Sequence, residues 1–89
     1  MAMKPVDRLL ATARAEIGYI EKETNAHLDD KTANAGDGNW NKYARDLDAL
    51  GVVYNSKKNG YAWCDIFTDW CFIQTFGLEL GLQLLCQAK

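Results

Sequence analysis

Residues 60–72 have the sequence GYAWCDIFTDWCF, and this stretch decides how the chain is expected to fold. A glycine-containing turn comes first and is followed by residues that are apolar on nearly every side, which is typical of a helix buried in a core. We therefore predict a helix that begins near Cys64, extends to about Phe76 and ends at Gly77. Two aromatic side chains of this helix are expected to be buried, Phe67 and Trp70.

Apolar residues that recur at steps of three and four positions indicate three further helices. They are predicted at residues 5 to 19 or 20, at residues 40–50, and from residue 78 to the chain end at Lys89. One side of the first helix is expected to face a core, and it consists of Val6, Leu9, Leu10, Ala13, Ile17 and Ile20.

The remaining segments contain turn-forming residues and almost no strand. Residues 24–38 are polar and are predicted to form a long surface loop, residues 52–54 are brief and extended, and residues 55–60 form a turn. Asp37 or Asn39 is the expected N-cap of the second helix. The predicted fold class is therefore mostly α, with about four helices in one small domain.

Charge and hydropathy exclude several classes of function. The formal net charge is −2, so the basic surface of a nucleic-acid-binding protein is missing. No apolar run has the length of a membrane span, and residues 1–5 lack the apolar segment of a signal peptide. The expectation is a protein made in the cytoplasm, as are wall-lysing enzymes of phages that leave by other routes.

The three cysteines, Cys64, Cys71 and Cys86, have neither the number nor the paired spacing of a disulfide framework or a zinc site. Cys64 is the candidate nucleophile, because the free N–H groups and the dipole of a helix N-terminus favour a thiolate. The alternative is that Cys64 is a core thiol. The other two cysteines are interpreted as packing residues, and no metal or other cofactor is expected.

Other polar residues of the sequence are weaker candidates for a chemical role. His27, the only histidine, is interpreted as a solvated loop side chain rather than a catalytic base. Asp65 and Asp69 are expected on the exposed side of the buried helix, where one of them could contact Lys42 or Arg45. Residues 37–41 offer oxygens at alternate positions, but Lys42 occupies the place where a calcium loop of the EF-hand type needs glycine.

Three blocks of the sequence resemble the CHAP domains, cysteine- and histidine-dependent amidohydrolases/peptidases that lyse bacterial cell walls. The first block is an aromatic residue followed by Cys64, with Phe67 and Trp70 on the next turns. The second is residues 15–21 (AEIGYIE), which look like the end of the family's first helix. The third combines residues 41–46 (NKYARD) with residues 59–63 (NGYAW), and is similar to endolysin-like proteins of phages and prophages.

The resemblance implies a papain-like α+β fold and hydrolysis of an amide bond in peptidoglycan by Cys64, with Trp63 lining the substrate groove. In that family the catalytic histidine comes from a sheet downstream of the cysteine, but no histidine follows Cys64 here. We therefore interpret residues 1–89 as a single partial domain, the helical half of a CHAP-like domain, inactive alone. The alternative is a non-catalytic wall-binding or assembly module derived from such a hydrolase.

A missing sheet would leave the apolar side of the Cys64 helix uncovered. The sequence therefore predicts a homodimer, with the helix of Cys64 or that of residues 78–85 in the contact. The alternative is that the last helix covers the exposed face.

Overall fold

A computed structural model describes residues 4–88, and side chains in residues 4–86. This part of the chain contains four helices, α1 (Pro5–Arg14), α2 (Lys42–Leu50), α3 (Cys64–Phe76) and α4 (Leu78–Ala88). Between residues 4 and 88 there is no strand, so the mostly α prediction is confirmed. Lys89, where the last helix was expected to end, lies outside the described residues.

Helix α3 is the central element, because each of the other three helices packs against it. Its bounds agree with the prediction, and it ends at Gly77, whose N–H donates to the carbonyl of Ile73. Trp70 is buried as expected, but Phe67 is only partly buried. The core lies between α2 and α3, and its buried members are Tyr43, Ala44, Leu47, Ile66, Trp70, Cys71 and Ile73.

Helix α2 begins later than predicted, and the prediction of its N-cap was wrong. Asn41 is the cap, and its side-chain oxygen accepts a hydrogen bond of 2.8 Å from the backbone N–H of Ala44. Trp40 cannot join the helix because its backbone pairs with that of Lys22 in an isolated β-bridge. Asn39 has a left-handed backbone, with φ of 62°, which is incompatible with the extended conformation of an N-cap.

Helix α1 is shorter than predicted because residues 15–18 form turns, with Gly18 at φ 97°. The prediction of its buried side was right only in part, since Val6 is 58% exposed and Ile17 is 74% exposed. Polar residues of α1 also face α3, where the hydroxyl of Thr75 donates to that of Thr12 over 2.7 Å. From α1, Leu9 and Ala13 pack at the edge of the core.

The connections between helices are irregular, as expected, but two of them differ from the prediction in detail. The loop of residues 24–38 is not entirely at the surface, since Leu28 is buried in it. Residues 51–56 form a series of bends rather than an extended segment at 52–54. The turn before α3 is present, and the N–H of Tyr61 donates to the carbonyl of Lys58.

The premise of the predicted homodimer is wrong, because α3 is covered within one chain. Helix α4 packs on it so closely that a Cβ added at Gly81 would lie 2.9 Å from the Cα of Ile73. The α3 residues Ile66, Trp70 and Ile73 are all buried. The homodimer itself stays a prediction. None of the helices in residues 4–88 is long and apolar enough to cross a bilayer.

Candidate functional site

Cys64 is the first residue of α3, where the sequence predicted it, and its side chain is exposed. The N-cap residue is Trp63, which provides no side-chain hydrogen bond to the helix N-terminus. The first N–H groups of a helix have no partners within the helix, and they favour negative charge nearby. The thiol of Cys64 therefore lies at an accessible and electrostatically positive end of a helix.

The turn that precedes Cys64 is fixed to α2 by one carboxylate. Asp48 accepts hydrogen bonds from the backbone N–H groups of Lys58 and Asn59, at 2.9 and 3.0 Å. The side chain of Asn59 in turn accepts from the backbone N–H of Asn41, at 3.0 Å. These bonds hold the approach to α3 in a defined position, because each joins a loop residue to a helix or its cap.

Trp63 lines a cleft of about 290 Å³ that we call the Trp63 cleft. Its indole stacks on the ring of Tyr43 at 5.7 Å between centroids and meets Tyr19 edge-on at 6.4 Å. Phe67, one turn after Trp63, forms another part of the wall, which explains why this side chain is only partly buried. Trp63, named from the sequence as a groove residue, thus lies in a cleft next to Cys64 in the chain.

Glu16, which no sequence pattern singled out, contributes a carboxylate to the lining of this cleft. Glu16 accepts a hydrogen bond from the hydroxyl of Tyr43 over 3.1 Å and forms an ion pair with Lys42 at 2.6 Å. Burial, and then the Glu16 carboxylate, raise the pKa of Tyr43 well above its ordinary value. Tyr43 therefore stays protonated, and its hydroxyl acts as a donor to Glu16.

The other two cysteines differ from each other, which corrects one prediction. Cys71 is buried in the core, and burial raises the pKa of its thiol to about 11. Cys86 was expected to be buried as well, but it is exposed. All three cysteines are free thiols.

His27 is exposed in the loop, with a left-handed backbone at φ 56°. No hydrogen bond joins its imidazole to Cys64 in the described part of the chain. The interpretation of His27 as a loop side chain therefore agrees with its exposure. Cys64 adjoins Trp63 in the chain but is not among the residues that line the Trp63 cleft, and in the described residues no imidazole is hydrogen-bonded to the thiol.

The two aspartates of α3 were expected on its exposed side, and for Asp69 this is wrong. Asp69 is buried and accepts a hydrogen bond of 2.6 Å from the hydroxyl of Tyr54. Only Asp65 is exposed. The reason is that α3 is covered on most of its surface, so the interval of four residues does not place both carboxylates in solvent.

Two of the oxygens proposed for a calcium loop at residues 37–41, those of Asn41 and Asn39, take part in hydrogen bonds of this segment. Asn41 uses its side-chain oxygen to cap α2, and its amide donates to the carbonyl of Asn39 over 2.9 Å. Within residues 4–86, His, Cys, Asp and Glu form no group of three or more that could hold a metal ion. The same segment therefore has a structural role that needs no ion.

Comparison with known proteins adds no assignment: no protein-family model, no curated protein and no solved structure matches this chain.

Proposed function

We propose that this chain carries the nucleophile of a cysteine amidase or peptidase that cleaves amide bonds in bacterial peptidoglycan. The observation that supports the proposal is the exposed thiol of Cys64 in the first turn of α3, one residue after Trp63, which lines a cleft. The cell-wall substrate comes from the resemblance to CHAP domains.

The reaction assigned to Cys64 is an acyl transfer in two stages. The thiolate attacks the amide carbonyl, and N–H groups at the start of α3 stabilise the oxyanion that forms. The C–N bond then breaks, the amine leaves with an added proton, and a thioester remains on Cys64. Water attacks the thioester, releases the carboxylic acid and restores the thiol.

Removal of the thiol proton needs a base and delivery of a proton to the leaving amine needs an acid, and in the described residues no imidazole is hydrogen-bonded to Cys64 for this role. The only histidine of the chain is His27, which is exposed and not bonded to Cys64. We therefore expect that these 89 residues do not clear peptidoglycan in a zymogram. A cleared band that is lost in Cys64→Ala would contradict this expectation and would make His27 the first candidate for the base.

The second candidate function is a non-catalytic module that binds the cell wall or takes part in assembly. It is favoured by the same absence of an imidazole bonded to Cys64 in the described residues. Such a module would need no reactive thiol, so the reactivity of Cys64 discriminates between the two functions.

The test is the rate at which each cysteine is alkylated by iodoacetamide, followed by mass spectrometry of the intact protein and its peptides from pH 6 to pH 10. Cys86 is the matched control because it is also exposed, whereas Cys71 is buried with a pKa raised to about 11. The nucleophile hypothesis predicts that Cys64 reacts fastest at neutral pH, roughly tenfold or more ahead of Cys86. Equal rates for Cys64 and Cys86 would favour the non-catalytic module.

A further inference from the structure

A second and larger cleft, whose lining does not include Cys64, lies between α2, the irregular segment before it and the turn before α3. Its volume is about 580 Å³, which is within the range of roughly 300–1,000 Å³ that small-molecule sites occupy. We call it the Trp40 cleft, and its lining includes two aromatic side chains, Trp40 and Tyr61. Tyr61 is 66% exposed although its ring is large and mostly apolar.

The polar lining of the Trp40 cleft consists of groups that both donate and accept hydrogen bonds. Asn25 and Asn59 each bring a side-chain amide, and Asp48 and Lys57 bring a carboxylate and an ammonium group. An amide offers two N–H donors and a carbonyl acceptor. Since Asn59 uses only its oxygen towards the backbone of Asn41, its N–H groups are available to a ligand.

Contacts within the protein hold the lining of this cleft in place without a ligand. Asp48 holds the turn at Lys58 and Asn59 by three hydrogen bonds to backbone N–H groups. Gly60 lies directly against the indole of Trp40, because a Cβ at that position would be 3.1 Å from a ring carbon. A preformed frame reduces the entropy that binding would otherwise lose.

The electrostatics of the Trp40 cleft favour a neutral ligand. Arg45 lines it, but the guanidinium is already bonded to the carboxylates of Asp29 and Asp46. Lys57 and Asp48, which also line the cleft, bring one positive and one negative charge. A phosphate or carboxylate ligand would therefore find no uncompensated pair of cations, which is what anion recognition usually requires.

We propose that the Trp40 cleft binds a neutral hexose ring that carries an acetamido group, as in the glycan strand of peptidoglycan. A pyranose has C–H groups that pack on aromatic faces and hydroxyl groups that exchange donors and acceptors with amides and carboxylates, and an acetamido group adds one donor and one acceptor of the amide type. The choice of the wall glycan as the source of the sugar rests on the proposed function. The sugar-binding chemistry of the cleft does not depend on the proposed function.

The experiment is a titration of the full chain, labelled with nitrogen-15, with the β-1,4-linked tetramer of N-acetylglucosamine at millimolar concentrations. Binding is expected to change the chemical shifts of the Trp40 indole N–H and of the side-chain amides of Asn25 and Asn59. Tyr61→Ala should weaken binding roughly two- to tenfold, since an aromatic contact of this kind is lost. The exposed position of Tyr61 keeps this variant folded, and Val52→Ala, another exposed apolar position outside the cleft, should bind as the wild type does.

Four results would overturn the proposal: no change in chemical shifts, changes confined to the Trp63 cleft, unchanged affinity in Tyr61→Ala, or equal binding of cellotetraose, which lacks acetamido groups.

Failure of the sugar-binding proposal can be told apart from failure of the proposed function. Sugar binding together with slow alkylation of Cys64 would uphold the cleft and reject the nucleophile. Fast alkylation of Cys64 without sugar binding would reject the cleft alone.

Discussion

The core between α2 and α3 and the irregular segment of residues 15–41 are stabilised by different kinds of interaction. In the core, the ring of Tyr43 lies 4.8 Å, between centroids, from the rings of both Phe67 and Trp70. In the irregular segment the order comes mainly from polar contacts, such as those of the Asn34 side-chain amide with the carbonyls of Thr24 and Ala26, at 3.0 and 3.1 Å.

This difference in the stabilising interactions indicates which substitutions each region tolerates. Burial of apolar surface is non-directional, so a core residue contributes through its volume. A hydrogen-bonded loop depends on the position of particular backbone groups, so it is sensitive to small displacements. Lys22 lies where the two regions meet: it is fully buried, and its ammonium group lies 4.7 Å from the centre of the Tyr19 ring, a cation–π contact.

The largest effect is expected from Tyr43→Ala. The side chain is almost fully buried at the centre of the aromatic core, and removal of such a ring costs about 3–5 kcal/mol through lost burial and the cavity that remains. Unfolding in urea, followed by tryptophan fluorescence, measures this change. Tyr43→Phe is the matched control: it keeps the ring and removes only the hydrogen bond to Glu16, at a cost of about 1 kcal/mol. A loss below about 1 kcal/mol in Tyr43→Ala would show that the core does not depend on this ring.

An intermediate effect is expected from Gly38→Ala in the polar segment. A Cβ at this position would overlap the backbone carbonyl oxygen of Glu23, and two backbone segments cannot separate without loss of the neighbouring hydrogen bonds. We expect a loss of about 1–3 kcal/mol, together with faster amide exchange at Lys22 and Trp40, whose backbones pair here. Nuclear magnetic resonance exchange rates measure the local change.

Gly36→Ala is the comparison for this substitution: its added methyl group would overlap the Glu23 carboxylate, which can move, and would lie 2.7 Å from the Glu23 Cβ, whereas at Gly38 the nearest atoms all belong to the backbone. Gly36→Ala should therefore cost less than Gly38→Ala. If both variants have the stability of the wild type, the close approach at Gly38 does not limit this segment.

Sequence reasoning succeeded where burial alone determines the structure. Helix α3 was predicted with correct bounds because a continuous apolar run needs no knowledge of its partners. The position of Cys64 followed from the glycine-containing turn before it.

Where the prediction failed, the deciding contact is made by a residue distant in sequence. Helix α1 was predicted too long because the turn at residues 15–18 places Glu16 beside Tyr43 and Lys42, a contact that periodicity cannot reveal. The cap of α2 was misplaced because Trp40 pairs with Lys22. Of the candidate site, Cys64 and Trp63 could be selected from the sequence, whereas Glu16 could not.

The smallest effect is expected from acid titration of Asp30, and it is confined to the polar segment. One oxygen of Asp30 accepts hydrogen bonds from the backbone N–H groups of Thr32 and Ala33, at 3.0 and 3.1 Å. These bonds favour the ionised form and lower the pKa of Asp30 below its ordinary value of 3.8. A carboxyl group with a lowered pKa stabilises the folded state above its unfolded pKa, and this contribution is lost as the pH falls through the folded value.

The amide signals of Thr32 and Ala33 should therefore titrate with a midpoint below 3.8, while near-ultraviolet circular dichroism of the Tyr43 core stays constant over the same range. Asp30→Asn is the control, because an amide oxygen can still accept from both N–H groups but does not titrate in this range. In that variant the acid-dependent shifts of Thr32 and Ala33 should disappear. A midpoint at or above 3.8 in the wild type would mean that these hydrogen bonds do not hold the turn. If the near-ultraviolet aromatic signal were lost in the same pH range, the segment and the core would unfold as one cooperative unit.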